Sequence, residues 1–405
     1  MKIETWFNTE EIKRFYFPGR IFVGPGVFLR AITLCSDHGG PVVVVADQVV
    51  HDMPFVSEAL SALSGKIAGT FLVRGAPIAQ EVKDFVRTLH EPPAVILVIG
   101  GGSATDFAKA VVAMFLFGTI DAVGLRGNTP RSNAGSKPVL VSVPTTAGSG
   151  AEASRYYVTY DRVDHHKVFG KSWQLVADWI MLDPVFLKSM PDGILVSCAF
   201  DAFVHLFETL ICRHERSRIG EMFSLYGIGH IMDALSKAIY GGERSDEVYA
   251  TLMEIATLGG VAISNVRTGN IHEAAGALLE LTDLSHAETL FVFFRDAIEQ
   301  YLEAIRDREK QLISHLRLVP AFADFASLED VIRWWEAIFA KVSLDSRIQD
   351  SIVKLQPSLA TVRDHVFQRI YSDKVWITKE SPLTLDEPAI RVLIDRSLAR
   401  FGINV

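Results

Sequence analysis

The feature that most constrains this chain is a change of rhythm near residue 185. Before it, short apolar runs rich in β-branched residues alternate with helical stretches: Pro41 to Ala46 (PVVVVA), Ala94 to Ile99 (AVILVI) and Pro138 to Val143 (PVLVSV). Runs that are apolar throughout, with no polar alternation, predict strands buried on both faces, as in a parallel sheet covered by crossover helices. After Asp183-Pro184 such runs stop, and the spacing predicts helices over Glu221 to Tyr240, Asp246 to Asn265, Ala287 to Leu316 and Glu329 to Val342. The PVFLKSMPDG segment, with two prolines and a glycine, punctuates the switch. An α/β domain over residues 1–186, followed by an all-α domain over 187–405, is the expected organisation. The length of 405 residues fits two cores better than one.

Composition narrows the function. A net charge of −8 leaves no clustered Lys/Arg excess with which to neutralise phosphates, so a nucleic-acid partner is not expected. Three cysteines, Cys35, Cys198 and Cys212, have no CxxC spacing, which points away from a disulfide framework and toward a reducing cytoplasm. The N-terminal MKIETWFNTEEIKRF shows no apolar core of signal-peptide length, and no stretch is read as reaching the roughly 18 apolar residues of a membrane span, so a cytoplasmic protein acting on small molecules is expected.

The strand ending at Ile99 runs into Gly100, Gly101, Gly102 and Ser103 and then a helical stretch. Glycines there let the backbone approach an anion, and Ser103 as N-cap with Asp106 three residues on would start a helix whose free N–H groups face a phosphate. The pattern is not GxGxxG, and a tight turn without a ligand is the competing reading. A second polar turn, Pro144 to Glu152 (PTTAGSGAE), follows the next apolar strand, where an open α/β sheet holds ligands; an ordinary loop is the alternative. Asp47 closes the first apolar strand. An acidic residue there accepts hydrogen bonds from an adenosine ribose and repels a 2′-phosphate, unless it only closes an Asx turn.

In the second half, Asp201 and His205 lie four residues apart within CAFDAFVHLFETL, so both leave one face of an apolar helix. An unpaired carboxylate there is costly, and the pair makes either a buried hydrogen bond or part of a metal site. His272 and His286 are read as the remaining ligands. On one unbroken helix they would sit roughly 21 Å apart and could not share an ion. Thr282, Asp283 and Ser285, residues suited to turns and N-caps, allow a loop to return His286 beside His272. An Asp/His₃ set suits ferrous iron or zinc. The remaining histidines, including His165, His166 and His214, are assigned no role.

Taken together, these motifs resemble the iron-containing (group III) alcohol dehydrogenase family, of dehydroquinate-synthase-like fold. The resemblance runs through FPGRIFVGPGVF, GGGSATDFAK (Gly100 to Lys109), PTTAGSGAE, LDP (Leu182 to Pro184), DAFVH (Asp201 to His205), SNVRTGNIH (Ser264 to His272) and His286. It implies a Rossmann-like cofactor domain and a helical metal domain. Gly101, Gly102 and Ser103 would then cradle a pyrophosphate, Thr145, Thr146 and Ser149 would contact the cofactor, and Lys167 would reach its ribose region. Asp47 would favour NAD(H) over NADP(H). Asp201, His205, His272 and His286 would hold a divalent metal, Fe²⁺ or Zn²⁺, and a homodimer or larger homo-oligomer is implied. Two positions depart from the pattern. Gly276 stands where the family commonly has a second histidine near the substrate, leaving the proton to exit through water, the cofactor ribose or another side chain. Arg267 replaces a small residue and is read as facing an anionic substrate group, with a surface arginine as the alternative.

The expected reaction is metal-dependent hydride exchange between a nicotinamide and an alcohol or carbonyl. A phosphonate aldehyde, hydroxy acid or sugar acid is the substrate class toward which Arg267 points. The rivals are a dehydroquinate-synthase-like lyase or cyclase with internally recycled NAD, and a non-catalytic degenerate relative.

Overall fold

The computed structural model describes residues 15–121, 137–162, 167–213, 217–372 and 381–404; His165, His166 and His214 lie outside them. The first half contains β1 (Ile21–Val23), α1 (Val27–His38), β2 (Val42–Asp47), α2 (Gln48–His51), α3 (Pro54–Ser61), β3 (Ile67–Val73), α4 (Ala79–Thr88), β4 (Val95–Gly100), α5 (Gly102–Phe117), β5 (Val139–Pro144), β6 (Tyr156–Tyr160), β7 (Lys167–Lys171) and β8 (Trp179–Leu182). Six strands form one parallel sheet in the order β1-β8-β5-β4-β2-β3, and β6 and β7 form a separate antiparallel pair.

The three strands expected from apolar runs are the central β2, β4 and β5. Because side chains alternate across a strand, each must serve two cores. Val42, Val44, Leu97 and Ile99 pack with Phe28 and Ile32 of α1 and Leu60 of α3. Val43, Val45, Ile96 and Val98 pack with Phe85 of α4 and Phe107 and Val111 of α5, in a core that continues without a break into the helical half. The strand order reverses between β2 and β4, so the carboxyl ends of these two strands border the crevice where such sheets bind ligands. Asp183, just after β8, fixes the first turn of the sheet's edge. Its carboxylate accepts from the backbone N–H groups of Gly26 (2.9 Å), Phe28 (3.0 Å) and Val185 (3.2 Å).

Among the described residues no strand follows β8. The helical half contains α6 (Asp192–Ile211), α7 (Arg218–Ile239), α8 (Asp246–Asn265), α9 (Asn270–Leu279), α10 (His286–Tyr301), α11 (Arg306–Leu316), α12 (Leu328–Lys341), α13 (Leu344–Val353), α14 (Leu359–Ser372) and α15 (Glu387–Ala399). The single helix predicted over Ala287 to Leu316 is two. The chain turns at 302–305, where no Gly or Pro marks a break, because α10 packs on α9 and α6 whereas α11 packs on α7. Helix α6 is the core of this half: Phe200 meets Trp335 at 4.8 Å and Phe294 at 5.3 Å between ring centroids, both edge-on. By length and composition α6 meets the criterion for a membrane span, closer than the sequence reading allowed. Yet 83% of that stretch is buried inside the fold, as in the core helix of a soluble protein.

The two halves are joined where the 144–155 turn meets α8. An ideal Cβ on Gly260 would lie 1.9 Å from the carbonyl oxygen of Gly150, whose own φ is +57°, so the two backbones touch with no side chain between them. Thr257 Oγ1 donates to Glu152 at 2.7 Å, and Arg155 N–H donates to Ser264 Oγ at 3.0 Å. From the other side, the buried Lys109 ammonium of α5 donates to the carbonyls of Ala151, Ser154 (2.6 Å) and Tyr156 (2.8 Å).

Gly260→Ala is expected to destabilise the protein by about 1–3 kcal/mol, since overpacking at a backbone contact outweighs the ~1 kcal/mol helix-propensity gain. Gly259→Ala, whose Cβ would have its nearest neighbours at 3.5 Å, is expected to be neutral or mildly stabilising. Denaturant midpoints of the two variants check the contrast.

Candidate metal centre and cofactor cleft

Helix α6 presents Asp201, His205 and Glu208 at spacings of four and three residues, hence on one face. All three are buried. His272 comes from the first turn of α9. His286 is the first residue of α10, whose N-cap is Ser285. A capping box sets that start: Ser285 N–H donates to Glu288 Oε2 at 2.6 Å and Glu288 N–H to Ser285 Oγ at 3.4 Å. The 280–285 connection between the two helices therefore returns His286 beside His272, with ring centroids 5.3 Å apart.

Asp201 Oδ1 is the common point. It lies 3.7 Å from His205 Nε2, 3.7 Å from His272 Nε2 and 3.8 Å from His286 Nε2. The ligand atoms of Asp201, His272 and His286 all fall within 4.8 Å of one another, and His205 reaches the same carboxylate oxygen from α6. These separations are too long for hydrogen bonds. Four ligands about 2.1 Å from a tetrahedral ion would stand about 3.4 Å apart, so the spacing is that of groups converging on an ion. Among the described residues, Asp201 Oδ1 and His272 Nε2 are buried without a hydrogen-bond partner, the mark of donor atoms directed at something other than protein. One carboxylate oxygen and imidazole nitrogens fit Fe²⁺ or Zn²⁺.

Glu208 was not singled out from the sequence. Its Oε2 lies 2.6 Å from His272 Nδ1 and its Oε1 accepts from Ile271 N–H at 2.9 Å. A carboxylate on Nδ1 makes that nitrogen the protonated one and leaves Nε2 facing Asp201. The available signal was a third polar residue on the same apolar helix face, three positions after His205.

The charges respond to this packing. Burial would raise the Asp201 pKa, but the surrounding imidazoles outweigh it and hold the carboxyl well below the usual range. Burial lowers His205 to about 4 and His286 to about 3, although the His286 side chain is 37% accessible and water moderates its shift. For His272, burial is overcome by the Glu208 and Asp201 carboxylates, and the pKa rises to about 9.

The cofactor candidates divide. Helix α5 begins at Gly102, with Gly101 at the N-cap and no side-chain cap, so Ser103 lies inside the first turn and does not cap it. Asp106 does not complete a capping box. It is half-buried, accepts from Val158 N–H at 3.2 Å and feels the Lys109 charge, since β4 passes into the helix with a single residue between them. An ideal Cβ on Gly100 would lie 2.7 Å from Asp47 Oδ2, one on Gly101 3.1 Å from Thr146 Oγ1, and one on Gly102 2.8 Å from Ser149 Oγ. Asp47, the glycine turn, Thr146 and Ser149 therefore meet at the crevice, with Thr145 N–H bonded to Gly100 O at 3.1 Å. Asp47 does not close an Asx turn: its Oδ2 accepts from Gly101 N–H at 2.7 Å, across two strands. Lys167 reaches onto α9 at Gly276. Arg267 lies partly buried in the 266–269 connection between α8 and α9.

The chain is similar to known proteins. The iron-containing alcohol dehydrogenase family model matches residues 18–184, and the model for the C-terminal part of the Fe-containing alcohol dehydrogenase family matches 195–378. The 4-hydroxybutyrate dehydrogenase of Clostridium kluyveri is 25% identical over 253 residues, 60% of this chain and 66% of that protein, just under two thirds of its length. An iron-containing alcohol dehydrogenase structure from Thermococcus thioreducens superposes with a TM-score of 0.80 at 19% identity, covering 95% of this chain and 100% of that one. The sulfoacetaldehyde reductase of Bifidobacterium kashiwanohense, solved in complex with NAD⁺, gives 0.78 at 17% identity, covering 96% and 99%. At such identities the two structures establish the shared fold.

Two outcomes are expected at this centre. Glu208→Gln should weaken metal binding by about 10- to 100-fold, measured by chelator competition, because the His272 tautomer is no longer fixed. In metal-free protein His272 carries its proton below about pH 9, and an ion must displace it. Apparent affinity should therefore rise by about tenfold per pH unit toward that value and then level, which the same competition run across pH would show.

Proposed function

The chain belongs to the iron-containing alcohol dehydrogenase family, and from that premise we propose that it is a metal-dependent, nicotinamide-linked oxidoreductase. It would interconvert a small anionic aldehyde and its alcohol with NAD(H), in the cytoplasm and as a homo-oligomer, with residues 1–186 serving the cofactor and 187–405 the metal and substrate. The observation that carries the reading is the convergence of His205, His272 and His286 on one buried, unpartnered oxygen of Asp201.

Asp201, His205, His272 and His286 would hold the ion. A bound divalent ion supplies a Lewis acid that polarises a carbonyl oxygen and lowers the pKa of an alcohol. Glu208 keeps His272 oriented for that role. The uncapped first turn of α5 leaves the Gly102 and Ser103 amides free for a pyrophosphate. Thr145, Thr146 and Ser149 supply hydroxyls at the same crevice. The carboxylate of Asp47, set beside the glycine turn, would repel a 2′-phosphate, which supports NAD(H) over NADP(H). An anionic substrate is supported by two relatives whose names carry one, 4-hydroxybutyrate and sulfoacetaldehyde, and by the cation Arg267 near the start of α9.

The test is anaerobic reconstitution with ferrous iron or zinc, then NADH oxidation against neutral and anionic aldehydes. Metal-dependent consumption favouring the anionic members is expected. His272→Ala should lower kcat/KM by on the order of a thousandfold, since the Lewis acid contributes several kcal/mol. NADH that binds but is never consumed, across the whole panel, would instead indicate internally recycled cofactor or a ligand-binding relative.

A further inference from the structure

Lys167 is the first residue of β7 and reaches from the α/β half to α9. Gly276 stands four residues after His272, one turn along on the same face of α9. An ideal Cβ on Gly276 would lie 2.6 Å from Lys167 Nζ, so the end of the Lys167 side chain rests against α9 at this glycine and a Cβ there would push it aside. It is near enough to His286 for its charge to depress that imidazole's basicity. Among the described residues, the charged groups that face it are Glu273 of α9, Glu280 just beyond α9, Arg369 of α14 and His286 of α10. Among the described residues no hydrogen bond or ion pair engages Nζ. Burial lowers the basicity of this ammonium, with Glu273 opposing.

We propose that Lys167 is the proton-transfer residue of the reaction, delivered beside the metal centre by the absence of a side chain at Gly276. The inference rests on the dehydrogenase reading. In the reductive direction a hydride, with both electrons, passes from the reduced nicotinamide to the carbonyl carbon as the C=O π bond breaks. Lys167 Nζ–H gives its proton to the oxygen, forming the O–H bond, and the neutral amine regains a proton from water. In oxidation the neutral amine takes the alcohol proton as the hydride leaves. This assigns the proton to another side chain, and not to water alone or the cofactor ribose.

The experiment compares wild type, Lys167→Met and Gly276→Ala as metal-loaded full-length proteins, with NADH and the four-carbon aldehyde acid corresponding to 4-hydroxybutyrate as probes. Metal content is read first and should match wild type in all three; NADH binding is followed by fluorescence so that kcat is compared at saturating cofactor and a lost ribose contact of Lys167 is told apart from a lost proton transfer. Lys167→Met should then lose about 10²- to 10⁴-fold in kcat, and its alkaline limb in the pH profile should disappear. Small alkylamines should partly restore the activity of Lys167→Ala. Reductive methylation with formaldehyde near neutral pH, mapped by peptide mass, gives a readout without turnover. Lys167 should react ahead of the exposed Lys310 and Lys354 in wild type and lose that lead in Gly276→Ala. Unchanged kcat in Lys167→Met, or a loss confined to NADH binding, overturns this role alone. A wild type that consumes no NADH with any aldehyde of the panel sinks the dehydrogenase reading and this role together.

Discussion

Everything at the centre of this molecule follows from burying two carboxylates in an apolar helix. Asp201 and Glu208 sit on α6 among Phe200, Phe203, Val204 and Phe207, where an uncompensated charge costs several kcal/mol. Compensation on α6 itself is limited to His205. The rest must arrive from elsewhere, and α9 and α10 are placed where they bring it: His272 between the two carboxylates, Ile271 N–H on Glu208, and His286 on Asp201. The capped start of α10 at Ser285 is thus a condition for α6 to remain buried, and not only a convenience of chain reversal.

The same physics joins the two halves. Lys109 is a buried cation, and its charge is met by three carbonyls of the 151–156 stretch and by the nearby Asp106 and Glu152. That stretch directly follows the Thr145–Ser149 turn and the contact between Gly150 and Gly260. An ammonium on α5 therefore sets where the turn lies, and the turn in turn sets where α8 begins its packing against the α/β half. The glycine turn after β4 and the Asp201 cluster on α6 are held in one frame by this chain of contacts, because α6 and α8 are themselves packed side by side. No flexible hinge need be invoked to bring the cofactor candidates and the metal candidates to the same cleft.

What could be read in the sequence were the features with strong local cause. Uninterrupted apolar runs identified β2, β4 and β5, because a strand buried on both faces leaves no room for polar residues. The turn chemistry of 282–285 was enough to bring His286 back to His272. Strands β1 and β8 are too short for a pattern, and β3 lies at the sheet's edge with alternating exposure, so neither kind announced itself. The division of the 287–316 stretch depends on which neighbours α10 and α11 find. Ser103 looked like an N-cap because local preference favours it, but the cap lies two residues earlier, at Gly101. Glu208 was passed over because its partner, His272, is 64 residues away. The reach of Lys167 onto α9 is likewise a tertiary fact.

The shared fold at 17–19% identity sharpens the point. At that level few core side chains coincide, and cores accept many hydrophobic substitutions when volume and pattern are kept. Bulk packing therefore cannot be what distinguishes this chain. Positions where backbone meets backbone, such as Gly150 against Gly260, or where a buried charge requires a particular partner, such as Glu208 with His272, tolerate far less. Gly276 combines the two constraints. It is a helical glycine, with the propensity cost that implies, and the end of the Lys167 side chain lies against it. A helical glycine with the end of a lysine side chain lying against it, one turn beyond His272, is accounted for by the role proposed for that lysine.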